Sequence, residues 1–124
     1  MIDFDLNFPR YTDGSPEVPV WCLTPNSKQM IHRFFDTSPL SPSGRYLAVF
    51  QMPDHDGMPQ AGDRRNVVLV DLHTGEERVV WETAGWENQM GANINWGASD
   101  SELIFNDVDT STWQPFGVVL DPLT

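Results

Sequence analysis

The sequence predicts an all-β chain: one four-stranded antiparallel unit followed by most of a second copy. Three observations predict it. Val, Ile, Phe, Trp and Tyr cluster in short runs bounded by Gly, Pro, Asp and Asn, and no long run has helical spacing. Ten prolines and nine glycines in 124 residues require frequent turns, which suits short strands and not a helical bundle. The third observation is an internal repeat.

Residues 38–50 (SPLSPSGRYLAVF) align with 95–105 (NWGASDSELIF), so that Trp96 falls on Leu40, Asp100 on Gly44 and Leu103 on Leu47. Each copy reads as a short strand, a tight polar turn at Ser43-Gly44 or Ser99-Asp100, and a longer apolar strand. Residues 67–75 (VVLVDLHTG) likewise match 118–124 (VVLDPLT), with Asp71 on Asp121 and Thr74 on Thr124. The first copy continues through Gly75 into Glu77–Trp81, a partner strand after a hairpin turn. Strands are therefore expected at about 36–42, 45–52, 66–72 and 77–83, and again at about 93–98, 102–108 and 116–121. A four-stranded unit of roughly fifty residues is the size of a β-propeller blade. The expected layout is a lead-in with a ring-closing strand (1–35, the strand near 18–25), a first blade (36–84) and an incomplete second blade (85–124). Because the second copy stops one residue before its glycine, the chain is expected to be truncated, and the isolated fragment to self-associate through open strand edges.

Charge narrows the partners. Eighteen acidic residues against seven basic ones give a formal charge of −11, and Lys28 is the sole lysine. Nucleic-acid binding calls for a basic surface and is not expected. A polyanion would fit only if the few cations gather in one place; the bland alternative is an acidic surface that keeps the chain soluble. Cys22 is the one cysteine, so no disulfide can form within the chain. The first twenty residues lack the basic start and apolar run of a signal peptide, and no stretch is long enough to span a membrane. A soluble chain is expected, cytoplasmic or, if a signal has been removed, periplasmic or secreted.

Ser41-Pro42-Ser43-Gly44-Arg45-Tyr46-Leu47-Ala48 and Asp71-Leu72-His73-Thr74-Gly75-Glu76 resemble the signatures of TolB-like (WD40-like) propeller repeats. The second copy departs from them, with Gly97-Ala98-Ser99-Asp100 in the turn. A narrower likeness starts earlier. Tyr11-Thr12-Asp13-Gly14, Trp21-Cys22-Leu23-Thr24-Pro25 and His32-Arg33-Phe34-Phe35, followed by the first blade, are similar to the opening of oligogalacturonate lyases, whose layout the seven-bladed ulvan lyases share. This resemblance implies a seven-bladed carbohydrate-active propeller, a carbon–oxygen lyase that cleaves uronate-containing polysaccharide or oligosaccharide by β-elimination. It leaves a divalent metal cofactor open. The alternatives are a non-catalytic TolB-like propeller that binds protein or peptide, and a propeller gating a hydrolase as in the prolyl oligopeptidase family.

In a propeller the connections after the second and fourth strands of a blade share one rim. That rim is expected to carry His32, Arg33, the loop 53–65 with Asp54, His55, Asp56, Arg64 and Arg65, then Glu87, Asn88, Gln89, Asn93, Asn106, Asp107, Asp109 and Trp113. Ser43, His73, Thr74, Gly75, Asp100 and Ser101 fall on the opposite rim as turn residues. Elimination at a uronate needs its carboxylate neutralised, a base for the C5 proton and an acid for the leaving oxygen. His32 is the candidate for proton transfer, or else a residue bonding a neighbouring strand. Asn106 is placed to polarise a carboxylate or to anchor a loop. Arg33 suits a substrate carboxylate or a salt bridge to Asp36 or another acid. Arg64 and Gln89 join it as substrate contacts, and Trp113 offers a face to a sugar ring or packs on the third strand. Asp54-His55-Asp56-Gly57 and Asn106-Asp107-Val108-Asp109 hold oxygen and nitrogen ligands without the spacing of a calcium loop, so no metal ligands are assigned. Trp21, Trp81, Trp86 and Trp96 read as core, and Cys22 as buried. Nucleophile elbows, phosphate-binding glycine loops, zincin helices and paired cysteine–histidine spacing are missing from the sequence.

Overall fold

The computed structural model describes residues 1–53 and 58–124, and the Asp54–Gly57 motif lies outside them. The described residues are all-β apart from one helical turn, α1 (Phe4–Asn7), where Asp3 caps the start by accepting the Leu6 amide at 3.0 Å. One antiparallel sheet contains β1 (Met30–Ile31), β2 (Tyr46–Gln51), β3 (Arg65–Asp71) and β4 (Glu77–Thr83) in that order. A second contains β5 (Asn95–Trp96), β6 (Leu103–Asp109) and β7 (Gln114–Leu120). Strands adjacent in sequence are adjacent in space, so each sheet is a meander.

The repeat appears as repeated local geometry. The Asp71 carboxylate accepts the His73 amide at 2.9 Å, and the Asp121 carboxylate accepts the Leu123 amide at 2.9 Å. Both are turns in which an aspartate bonds the backbone two residues on. In the first copy Gly75, at φ +79°, then turns the chain into β4. A glycine is required there, since a side chain would be strained at that φ and would lie 2.7 Å from the Asn7 carbonyl.

The expected strand at 36–42 forms differently. Its outer pairing to β2 comes in two pieces: Leu40 bridges Leu47, while Met30–Ile31 pairs with Phe50 and Gln51. Residues 32–38 leave the sheet between them. Pro39 and Pro42 have no N–H to give to a ladder, so only a short piece of this segment pairs, through the Pro39 carbonyl and the Ser41 amide. The strand expected near 18–25 is reduced to a bridge between Arg10 and Trp21.

β2 and β3 are covered on both faces, which is why they read as continuous apolar runs. On one face Leu47, Val49, Val68 and Val70 pack under Phe8, Phe4 and Trp21 from the N-terminal segment. On the other, Ala48, Phe50 and Val67 meet Ala92, Ile94, Leu103 and Phe105, so one core joins the two sheets. β6 alternates instead: Leu103, Phe105 and Asp107 are buried against the first sheet, while Ile104 and Asn106 face away. Trp81, Trp86 and Trp96 are half-buried against the shared core and Trp21 against the other, as expected, and Cys22 is half-buried with a free thiol. Among the described residues no helix is long and apolar enough to cross a membrane.

Candidate functional site

Polar contacts fix how the sheets meet. At one end the Ser43 amide and hydroxyl both donate to Asp100, at 3.0 and 2.5 Å. Midway, the Trp96 indole donates to the Pro39 carbonyl at 2.9 Å and Arg33 donates to the Asn95 side chain at 2.8 Å. At the far end stands Asp107, 3% exposed. Its carboxylate accepts the Trp81 indole, the Thr83 hydroxyl and the Ala84 amide at 3.0 Å each, and the Val108 amide at 2.8 Å. Burial alone would raise its pKa, but these donors outweigh burial and hold the carboxyl below its ordinary value of 3.8. Gly85 has no room for a side chain, because a Cβ would sit 2.5 Å from the Asp107 Cα.

Beside Asp107 three connections border an open cleft of about 850 Å³. Pro59–Asp63, from the β2–β3 connection, supplies one wall, residues 84–93 between β4 and β5 supply the floor, and the β6–β7 turn with Pro115 and Phe116 supplies the other wall. These are connections that the sequence assigned to one rim. Trp113 stands at the mouth, 55% exposed. Its backbone is left-handed at φ +58°, held by its amide donating to the Asp109 carbonyl at 2.7 Å. Such a φ is rare for a bulky residue, and strain of this kind gathers at functional sites. The Asp109 carboxylate accepts the hydroxyl and amide of Ser111, which lower its pKa and fix the turn.

The carboxylates lining the cleft all have partners within the protein. Both carboxylate oxygens of Glu87 accept backbone amides, from Gln89 and Met90. Asp63 accepts the Gln60 amide and lies 3.7 Å from Arg65. Neutral groups remain open: among the described residues nothing bonds the Asn88 amide or the Trp113 indole. The Asn93 Oδ1 is buried without a partner, and Asn93 itself is left-handed at φ +58°.

The six sequence candidates do not gather at one point. Trp113 and Asn106 border the cleft, although alternation along β6 turns the Asn106 side chain away from the face of Asp107. His32, exposed, shares a separate recess of 550 Å³ with Arg33, Gln89 and the exposed Phe34 and Phe35. Arg33 meets Thr37 and Asn95 in place of Asp36. Arg64 donates to the Glu82 carbonyl at 3.1 Å and lies 3.8 Å from Asp107. The expected rim acid Asp107 is a structural tie. Its signal was the alternation Leu103, Phe105, Asp107, which puts the carboxylate on the core face. No cluster of three or more His, Cys, Asp or Glu among the described residues is arranged to hold a metal. No family model, curated protein or solved structure matches the chain.

Proposed function

We propose that the two sheets are consecutive blades of a TolB-like β-propeller, and that the rim carrying the cleft receives a carbohydrate. The blade reading is supported by the repeated aspartate turn, the meander order of both sheets and the shared core between their faces. The saccharide reading rests on one observation: an exposed, backbone-constrained tryptophan at the mouth of a cleft whose open groups, among the described residues, include neutral amides and an indole. Sugar rings have apolar faces and hydroxyl edges, which such a surface complements.

The reaction proposed for this rim is β-elimination at a uronate. In this reading His32 serves in proton transfer, Arg33 and Gln89 hold the uronate in the same recess, and Arg64, Asn106 and Trp113 contact the polymer at the cleft in place of the catalytic role expected for Asn106. Its support is the recess that His32 shares with Arg33 and Gln89. Incubation of the gene product with pectic, ulvan-type and glucuronan-type substrates tests it, followed by ultraviolet absorbance of the unsaturated product. Absorbance should rise and be lost in a folded His32→Ala variant; no rise on any substrate, with or without divalent metal, refutes it. One observation favours a binding-only propeller: the Arg33 and Arg64 guanidinia are already engaged with protein oxygens. That reading predicts binding without turnover.

A further inference from the structure

We infer that the cleft beside Asp107 takes an uncharged sugar ring, with Trp113 as its stacking platform and Asn88 as a hydroxyl partner; this rests on the saccharide reading above. Five tryptophans are present, and four indole N–H groups are spent inside the protein: Trp21 on Asp5, Trp81 on Asp107, Trp86 on the Asp63 carbonyl and Trp96 on the Pro39 carbonyl. The Trp113 indole has no partner among the described residues, and its ring is more than half exposed. Its inner edge rests near Gly62, where a methyl group would come 3.6 Å from the ring. The platform is therefore backed by protein and held by its turn, so little conformational entropy is lost when a ring settles on it.

Electrostatics decide the class of ring. Among the described residues the lining includes no Lys, Arg or His, while Asp63, Glu87 and Asp107 are present. A uronate there would bring a fourth carboxylate among three, with no cation among the described lining residues to neutralise it. The three carboxylates are bonded to backbone amides, an indole and a hydroxyl, and Asp63 and Asp107 also have arginines nearby. The Asn88 side chain and the Trp113 indole, both neutral, stay open among the described residues. In a uronate-containing polymer the cleft takes an uncharged residue, and the uronate binds elsewhere.

Titration calorimetry on the 124-residue chain tests this, with hexamers of uncharged cello-, manno- and galacto-oligosaccharide beside oligogalacturonate and a basic peptide. At least one uncharged hexamer should bind, with an affinity little changed by added salt. Trp113→Ala should weaken it about tenfold or more, Trp113→Phe by only a few fold, and Asn88→Ala by about tenfold. An unchanged melting temperature for Trp113→Phe guards against a merely unfolded variant. Oligogalacturonate binding more tightly, in a Trp113-dependent way, would overturn the inference and leave the saccharide reading standing. Trp113-dependent binding of the basic peptide alone would replace the sugar by a cation and overturn both. Binding of no saccharide at all would also sink both.

Discussion

Removing the Asp107 carboxylate should separate the two sheets at the cleft end. In Asp107→Ala the Trp81 indole and the Ala84 and Val108 amides lose this acceptor, while the Thr83 hydroxyl keeps the Asn106 carbonyl at 2.7 Å. Three part-buried donors left unsatisfied cost about 1–3 kcal/mol each, so the expected loss is at least about 4 kcal/mol. Asp107→Asn preserves shape and one oxygen but sets an amide N–H against one of the donors, for a loss of about 2 kcal/mol. Urea unfolding at neutral pH, followed by tryptophan fluorescence, reads both values, and the denaturant slope should stay constant. The pH dependence gives a second signature. The folded carboxyl ionises at lower pH than the unfolded one, so its stabilisation is complete well above 3.8 and is lost as pH falls through the depressed folded value. The gap between the native chain and Asp107→Asn should therefore be widest at neutral pH and narrow in acid. A loss under about 1 kcal/mol for Asp107→Ala, or a gap that ignores pH, would refute the reasoning.

Further outcomes follow from the same packing. Gly85→Ala forces a methyl group against the Asp107 backbone and should cost about 1–3 kcal/mol in the same urea assay. Gly91→Ala combines φ +59° with a Cβ 2.7 Å from the Phe50 ring, and should lower the thermal midpoint by several degrees. Val119, 70% exposed, pairs with the exposed Ile104 on the outer face of the second sheet. Val119→Lys should shift stability by no more than about 0.5 kcal/mol while reducing self-association in sedimentation velocity.

Much of this architecture was legible because local chemistry and tertiary packing agree. Continuous apolar runs marked β2 and β3, and the matched aspartate turns marked the repeat, since both signals lie within a few residues. The first outer strand was misplaced because its pairing depends on β2, a non-local partner, and because prolines at 39 and 42 cut the ladder into pieces. α1 was missed although Asp3 stands at its cap, since a single turn carries too little periodicity to see. That three connections meet at one end was legible from strand order alone, as the cleft beside Trp113 shows. How the candidates divide between cleft and recess was not, because it depends on the excursion at 32–38 and on which side of β6 each residue faces. Asp107 and Asn106, adjacent in sequence, point to opposite faces; the alternation Leu103, Phe105, Asp107 marks which one the core takes, but not which loops meet the other.

Indole-resolved NMR tests the central claim most directly, that the rim cleft binds saccharide through Trp113. With the tryptophans labelled at the indole nitrogen, an uncharged oligosaccharide is titrated into the chain. The account predicts a saturable shift of the Trp113 signal, while those of Trp21, Trp81 and Trp96 stay in place behind their internal hydrogen bonds. A Trp113 signal that does not move with any saccharide, or shifts confined to the other indoles, would contradict it.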